Sequence, residues 1–293
     1  MSAQHIFGEA KAFDASGIVG SLDVGAVTRD GAPQAASSLD LRAVGLIVKK
    51  DAQNLDDDPV AIGSCVLVGR EWVLTAHHVL LSQEFAQNFK AVFNFINTDA
   101  ESVSDEFSKV NHFSFSAKEG DFYCSKDGVL SENGHEYMAG DWALIKVTTE
   151  REHSIAPLKP REVVAADMQA DSRGFFVPYH QSGYSPLGSK DIPFGLAPVH
   201  ALVTDRNSSI FKDTQRIAAH DPEDWKIEHY AAAHSGASGA PLMSIDGGFV
   251  GIHLRSIKKA SGINPGLASS AQAIIEELKA IKFNTTDESF TLK

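Results

Sequence analysis

Short runs of apolar, β-branched and aromatic residues recur along the chain, and polar turns separate them. The earliest are RAVGLIVKK from Arg42, AIGSCVLVG from Ala61 and EWVLTAHHVL from Glu71. Runs of the same kind resume after residue 170 and end with GGFVGIHLRS at 247–256. Short segments of these residue types, bounded by turns, are typical of β-strands. The pattern therefore predicts an all-β body.

Near the C-terminus the spacing of apolar residues changes from that of a strand to that of a helix. In LASSAQAIIEELKAI, one face of a helix would collect Leu267, Ala271, Ile274, Ile275, Leu278 and Ile281. Ser269 or Ser270 is placed to cap the helix start, because a serine hydroxyl accepts from the first backbone N–H groups. The chain is predicted to end in one amphipathic α-helix.

Length and composition indicate a globular protein of two domains. The chain has 293 residues, of which 43% are apolar, and about 150 residues is a common domain size. Two prolines in HSIAPLKPREV indicate a linker. The changes in pattern divide the chain into an N-terminal extension at 1–41, a β unit at 42–152, a linker at 153–170, a second β unit at 171–263, and a helix with a tail at 264–293.

Charge and cysteine content exclude several classes of function. Asp and Glu number 38 against 26 Lys and Arg, a net charge of -12, so no nucleic acid or membrane partner is expected. Two cysteines, Cys65 and Cys124, are too few for a disulfide framework, and the N-terminus has no apolar run typical of a signal peptide. A reducing, cytoplasmic location is expected.

Three short strings contain the residues that peptide hydrolysis by a serine requires. VLTAHHVL contains His78, DWALIKV begins with Asp141, and GASGAP contains Ser238. The reaction needs a hydroxyl nucleophile, an imidazole base, a carboxylate that orients the imidazole, and two N–H donors for the oxyanion. The glycines around the serine allow the amides of Gly236 and Ser238 to point into one small space. These two amides are the candidate oxyanion hole.

Together the three strings resemble the motifs of the trypsin-like serine endopeptidases, which have the chymotrypsin fold. The resemblance covers roughly residues 42 to 283 and favours the branch with few disulfides, which includes glutamyl endopeptidases and bacterial relatives. It implies two six-stranded antiparallel β-barrels, with His78 and Asp141 on the first and Ser238 on the second. These three residues would form the catalytic triad. No metal or other cofactor is expected, since the adjacent His77 and His78 do not share a face.

Residues beside the serine bear on which side chain precedes the cleaved bond, the P1 residue. Ala232 stands where trypsin-like enzymes that cleave after Lys or Arg carry an aspartate, so a basic P1 residue is not expected. His253 falls where glutamyl endopeptidases carry a pocket histidine, and its donors favour Glu, Gln or Asp at P1. The alternative is a core histidine beside a small apolar pocket. The predicted substrate-binding residues are Ala232, Ala233, Ser235, His253, Arg255 and Ser256.

One departure from the family concerns activation. Many members carry an aspartate directly before the serine, which pairs with a new N-terminus after activating cleavage, whereas this chain has Ala237. The string Ile18-Val19-Gly20-Ser21 resembles the N-terminus that such cleavage releases. Because its amine would lack the carboxylate partner, no activation of this kind is expected.

Two functions stay open from the sequence. The first is a serine endopeptidase that acts on a protein or peptide, through limited processing of a protein partner. The second is a catalytically silent or latent form of the fold that serves as an adaptor and holds a partner. Some related bacterial proteases process an effector encoded nearby, including in anti-phage defence, so a regulatory partner or co-encoded effector is a further candidate.

Overall fold

The computed structural model describes most of the body of the chain. The described residues are 22–26, 41–51, 61–93, 111–125, 129–132, 135–138, 140–149, 153–169, 175–182, 196–204, 216–231, 233, 236–244, 248–257, 265–281 and 283. Strands predominate among them, with two short 3-10 helices and two α-helices. Most of the predicted extension, 1–21 and 27–40, lies outside this set.

The strands are, in chain order, β1 (Leu22–Ala26), β2 (Val44–Lys49), β3 (Ala61–Gly69), β4 (Trp72–Ala76), β5 (Phe89–Phe93), β6 (Asn111–Phe115), β7 (Phe122–Cys124), β8 (Val129–Glu132), β9 (His135–Met138), β10 (Trp142–Thr148), β11 (Phe175–Phe176), β12 (Tyr179–Ser182), β13 (Leu196–Thr204), β14 (Ile217–His220), β15 (Lys226–His229), β16 (Pro241–Ser244), β17 (Phe249–Ser256) and β18 (Gly266–Ser270). The α-helices are α1 (Gln83–Ala86) and α2 (Ala271–Ala280), and the 3-10 helices are η1 (Leu41–Ala43) and η2 (Ala165–Met168).

The first half of the chain forms a closed six-stranded antiparallel barrel. Its strands follow the order β4-β3-β2-β5-β6-β10, and β10 also pairs with β4, which closes the ring. Along the edge of β10 that does not face β4, β7 pairs with the first part of the strand and β6 pairs with its end. Because Trp142 pairs with Ala76, the C-terminal end of β4 meets the N-terminal end of β10 at one rim of the barrel.

The second half contains a six-stranded antiparallel sheet in the order β11-β16-β17-β18-β15-β14. A three-stranded sheet, β1-β13-β12, brings residues 22–26 of the predicted extension into antiparallel pairing with β13. The predicted architecture of two six-stranded antiparallel units with a C-terminal helix is confirmed. The second sheet extends past residue 263, because β18 pairs with both β15 and β17.

The C-terminal helix begins later than its periodicity suggests. Ser270 is the N-cap of α2, and its hydroxyl accepts from Ala273 N–H at 3.5 Å. Leu267, predicted on the helical face, lies instead in β18, because pairing with two neighbouring strands outweighs the local helical spacing. None of the helices in the described part of the chain is both long and apolar enough to cross a lipid bilayer.

Of the two clusters of buried hydrophobic side chains among the described residues, one contains members from both halves and the helix, and the other lies within the second half. Leu74 of β4, Leu254 of β17 and Ile275 of α2 all belong to the same cluster of buried side chains. Between the halves, Leu158 N–H donates to Leu67 O and Arg161 N–H donates to Phe249 O, each at 2.9 Å. The connecting segment is therefore fixed to β3 at one point and to β17 at the next.

Candidate active site

The structure brings His78 and Asp141 together at the rim where β4 and β10 meet. His78 comes two residues after β4, and Asp141 directly precedes β10. His78 Nδ1 lies 2.8 Å from Asp141 Oδ2, and the His78 backbone N–H donates to Oδ1 at 2.9 Å. Since a carboxylate only accepts hydrogen bonds, Nδ1 carries the proton and Nε2 of the neutral ring keeps its lone pair.

The backbone of Asp141 has an uncommon conformation. Its φ is +41°, directly after Gly140 with φ +78°, and non-glycine residues seldom adopt positive φ. The Asp141 carbonyl accepts from His77 N–H at 3.0 Å, which helps to hold the peptide in place. The carboxylate side chain is 5% exposed, against 43% for His78. The aspartate is thus enclosed, while the imidazole faces an open surface.

Ser238 lies in a turn whose carbonyl groups accept hydrogen bonds from the first barrel. The turn contains two glycines with positive φ, +96° at Gly236 and +84° at Gly239. Ser64 of β3 donates from its backbone N–H to Ser238 O at 2.8 Å and from Oγ to Gly236 O at 2.7 Å. One residue therefore orients the carbonyls of both residues whose amides are the candidate oxyanion hole. The motifs did not single out Ser64, and its contact with this turn has no local sequence signal.

Gly239 allows the serine turn to sit directly against β3 and β4. A Cβ atom at Gly239 would overlap Thr75 Oγ1 and the backbone of Ser64 and Ala76. Gly239 N–H also donates to His253 O at 2.7 Å. The turn is therefore enclosed between the strand that leads to His78 and the strand that carries His253.

The hydroxyl of Ser238 is directed toward β17 in this structure. Ser238 Oγ donates to Leu254 O at 3.1 Å, and among the described residues no hydrogen bond joins it to His78. The structure thus joins His78 to Asp141 directly, and it places Ser238 on the turn that packs against the strand leading to His78.

The predicted pocket residues are only partly within the described structure. His253 and Ala233 are buried, at 4% and 3% exposure, and Arg255 is partly buried. Ala232 and Ser235 lie outside the described residues, and so does the side chain of Ser256.

His253 contacts a second buried histidine that the motifs did not reveal. His229 Nε2 lies 3.0 Å from His253 Nδ1. His229 faces Gly266 on β18, where any side chain would overlap its ring. The sequence signal that could have revealed His229 is the alternation of buried and exposed positions on a strand, since Ile227, His229 and Ala231 occupy the buried positions of their segment.

Burial lowers the pKa of both histidines. The pKa of His229 falls to about 3 through burial, against a smaller raising effect from the backbone of Ala231. The pKa of His253 lies well below its usual value through burial, and the nearby His229 and His78 lower it further. Both rings are therefore neutral near pH 7, so one donates and the other accepts across their contact.

The described residues contain neither a metal centre nor a disulfide. In that part of the chain no three His, Cys, Asp or Glu side chains gather closely enough to hold a metal ion. Cys65 and Cys124 are free thiols, and burial raises the pKa of Cys65.

Comparison with known proteins identifies a family and a fold. Residues 63–252 match the family model described as the trypsin-like peptidase domain. Neuropsin, a serine protease expressed in the limbic system of mouse brain, is 12% identical, with a TM-score of 0.53 over 83% of this chain and 95% of that chain. Human heparin binding protein is 14% identical, with a TM-score of 0.51 over 87% and 95% of the two chains. Among curated proteins no sequence matches significantly.

Proposed function

Because the chain belongs to the trypsin-like peptidase domain family, we propose that it is a serine endopeptidase with Ser238 as nucleophile, His78 as base and Asp141 as the group that orients His78. The observation that carries the proposal is the 2.8 Å contact between His78 Nδ1 and Asp141 Oδ2. It fixes the tautomer in which Nε2 is able to accept a proton from a serine hydroxyl.

The proposed reaction begins when Ser238 Oγ leaves Leu254 O and turns to His78 Nε2. Oγ bonds to the carbonyl carbon of the substrate while its proton passes to Nε2, and the oxyanion accepts from the amides of Gly236 and Ser238. The C–N bond then breaks as His78 returns the proton to the leaving amine, which leaves an acyl-enzyme. Water attacks this ester with His78 again as base, and Ser238 is restored. Asp141 stabilises the imidazolium that forms in each step.

A fluorophosphonate probe tests the nucleophile, because labelling requires an activated hydroxyl. We expect wild-type protein to be labelled and Ser238→Ala not to be labelled, with a loss in kcat on the order of 10⁶-fold. His78→Ala should lose activity to a similar degree, whereas the matched variant His77→Ala should stay active, since only the backbone of His77 contacts Asp141. Unchanged hydrolysis by Ser238→Ala would contradict the proposal.

For the P1 residue we propose Glu, Gln or Asp. In the tautomer in which His229 Nε2–H donates to His253 Nδ1, the His253 ring presents Nε2–H as a donor, which suits a carboxylate or amide oxygen. Burial of both rings supports this state, because it disfavours the charged forms. Arg255 lies two residues further along the same strand, and its positive charge would favour an acidic side chain in the proposed pocket.

Peptide-library profiling tests this preference. We expect His253→Ala to lose selectivity for acidic and amide P1 residues while cleavage continues at other residues. His220→Ala is the matched control, because this histidine lies on β14 and bonds to Lys226 O through Nδ1. An unchanged profile in His253→Ala would rule out the pocket assignment.

We further propose limited processing of a protein partner in the cytosol, since a protease of this fold acts on proteins or peptides. The two free thiols are compatible with a reducing compartment. Labelling of newly formed N-termini in a cell extract tests this. We expect a small number of cleavage sites that appear with the wild type and are absent with Ser238→Ala. Cleavage at many unrelated sites would contradict limited processing.

A further inference from the structure

The C-terminal helix is firmly attached to the half of the molecule that carries the serine. α2 continues directly from β18, which pairs with β17, the strand that supplies Leu254 O to Ser238. At the junction, Ser270 caps the helix and its own N–H donates to Trp225 O at 2.7 Å. The position of α2 is therefore set by the second sheet.

From this base the helix reaches across to the residues next to Asp141. Trp142 Nε1 donates to Glu277 Oε2 at 3.0 Å, and the Trp142 side chain is buried. The other carboxylate oxygen of Glu277 lies beside Gly140, within 3.5 Å of the place a Cβ atom would take. Glu277 thus accepts from Trp142, directly after Asp141, and lies near Gly140, directly before it.

Phe283, just beyond α2, also contacts the first barrel. The Phe283 ring meets Trp72 of β4 edge-on at 5.0 Å and Tyr123 of β7 at 4.9 Å. β4 and β7 pair along opposite edges of β10, the strand that Asp141 precedes. α2 and Phe283 therefore bridge the serine half and the histidine–aspartate half.

Asp141 needs such support because its backbone is in a disfavoured region. Its φ of +41° follows a second positive φ at Gly140, and this conformation persists only where surrounding contacts impose it. The direction of the carboxylate toward His78 depends on this backbone geometry. A contact that anchors Trp142 and lies against Gly140 is suited to maintain it.

We propose that Glu277 is a positioning residue that holds Asp141 on His78 through Trp142 and Gly140. This inference rests on the proposed serine endopeptidase function. The hydrogen bond described for Glu277 goes to Trp142 and not to His78 or Ser238, so its effect on the reaction passes through the aspartate. The helix therefore couples the two halves of the active site.

The test compares Glu277→Ala, Glu277→Gln and Glu276→Ala with the wild type. Glu276→Ala is the matched control, since Glu276 is the exposed neighbour whose carboxylate accepts from Gln272 on the same helix. We expect Glu277→Ala to slow fluorophosphonate labelling and lower kcat by roughly 10- to 100-fold with little change in KM, as for a small misplacement of catalytic groups. Glu277→Gln keeps an oxygen that accepts from the indole and should restore both rates.

The outcomes separate this inference from the proposed function. If the wild type is labelled and Glu277→Ala matches Glu276→Ala in kcat, the inference is wrong and the function stands. If Glu277→Gln is as slow as Glu277→Ala, positioning through the indole is also wrong. If the wild type is not labelled, the proposed function fails first. Should Glu277→Ala not fold, Glu277→Met keeps the stem of the side chain and must show the same loss of kcat, and wild-type kcat in that variant would overturn the inference.

Discussion

Ser64→Ala tests how the first barrel shapes the serine turn. The substitution removes the hydroxyl that donates to Gly236 O at 2.7 Å. It leaves the Ser64 backbone in place, so the N–H still donates to Ser238 O and the carbonyl still accepts from Thr75 Oγ1. Among the described contacts, the substitution therefore changes one carbonyl of the turn that presents the oxyanion donors.

The size of the effect follows from burial. Ser64 is fully buried and Gly236 is partly buried, so the lost hydrogen bond is expected to cost about 0.5–1.5 kcal/mol. If the transition state loses this amount, kcat falls by about 2- to 13-fold. Because the oxyanion forms only in the transition state, we expect this loss in kcat, with KM nearly unchanged.

Steady-state kinetics on a peptide substrate, together with thermal unfolding, provide the assay. Ser269→Ala is the control, because Ser269 is a fully buried serine of β18 whose hydroxyl has no partner among the described residues. That variant should keep wild-type kcat and stability. If Ser64→Ala unfolds at a lower temperature but keeps wild-type kcat, the hydrogen bond serves folding alone and the reasoning is refuted.

Three further predictions concern the backbone, the tautomer and pH. Gly239→Ala would place a side chain in the left-handed backbone conformation, which costs non-glycine residues about 1–2 kcal/mol, and its Cβ would overlap Thr75. We expect a lower midpoint of thermal unfolding and no fluorophosphonate labelling. Labelling at the wild-type rate would contradict this. Asp141→Asn should lower kcat by about 10⁴-fold in a folded protein, because an amide permits the wrong tautomer of His78; a loss below about tenfold would argue against the triad. In the folded protein the pKa of His229 is lowered to about 3, whereas the unfolded chain takes up the proton near pH 6.5. As the pH falls from about 6.5 to 3, the folded state therefore loses on the order of 4 kcal/mol of stability relative to the unfolded state. His229→Gln should flatten that decline in urea unfolding, and an unchanged slope between pH 6.5 and 4 would contradict the assignment.

The strands were predictable because runs of apolar, β-branched and aromatic residues between turns are local features of the sequence. The run AIGSCVLVG became β3 at Ala61–Gly69 with the predicted bounds. Leu267 was misassigned to the helix because its spacing fits a helical face, while β15 and β17 engage it as a strand. Local periodicity holds no information about such distant partners.

The contacts that organise the candidate site join segments far apart in the chain. Ser64 and Gly236 are separated by 172 positions, and Trp142 and Glu277 by 135. No motif spans such distances, so neither contact was predictable. His229 was detectable only as a polar residue at a buried position of an alternating strand.

By itself the sequence determined the family and the two-unit β architecture, because short motifs and alternation are local properties that can be read along the chain. It also determined which histidine, aspartate and serine to examine. Only the tertiary structure decided that His78 Nδ1 meets Asp141 Oδ2, that Ser238 Oγ faces Leu254 O, and that Glu277 reaches Trp142. The physical reason is that a hydrogen bond requires donor and acceptor within about 3 Å, and that distance is set by how the strands and the helix pack.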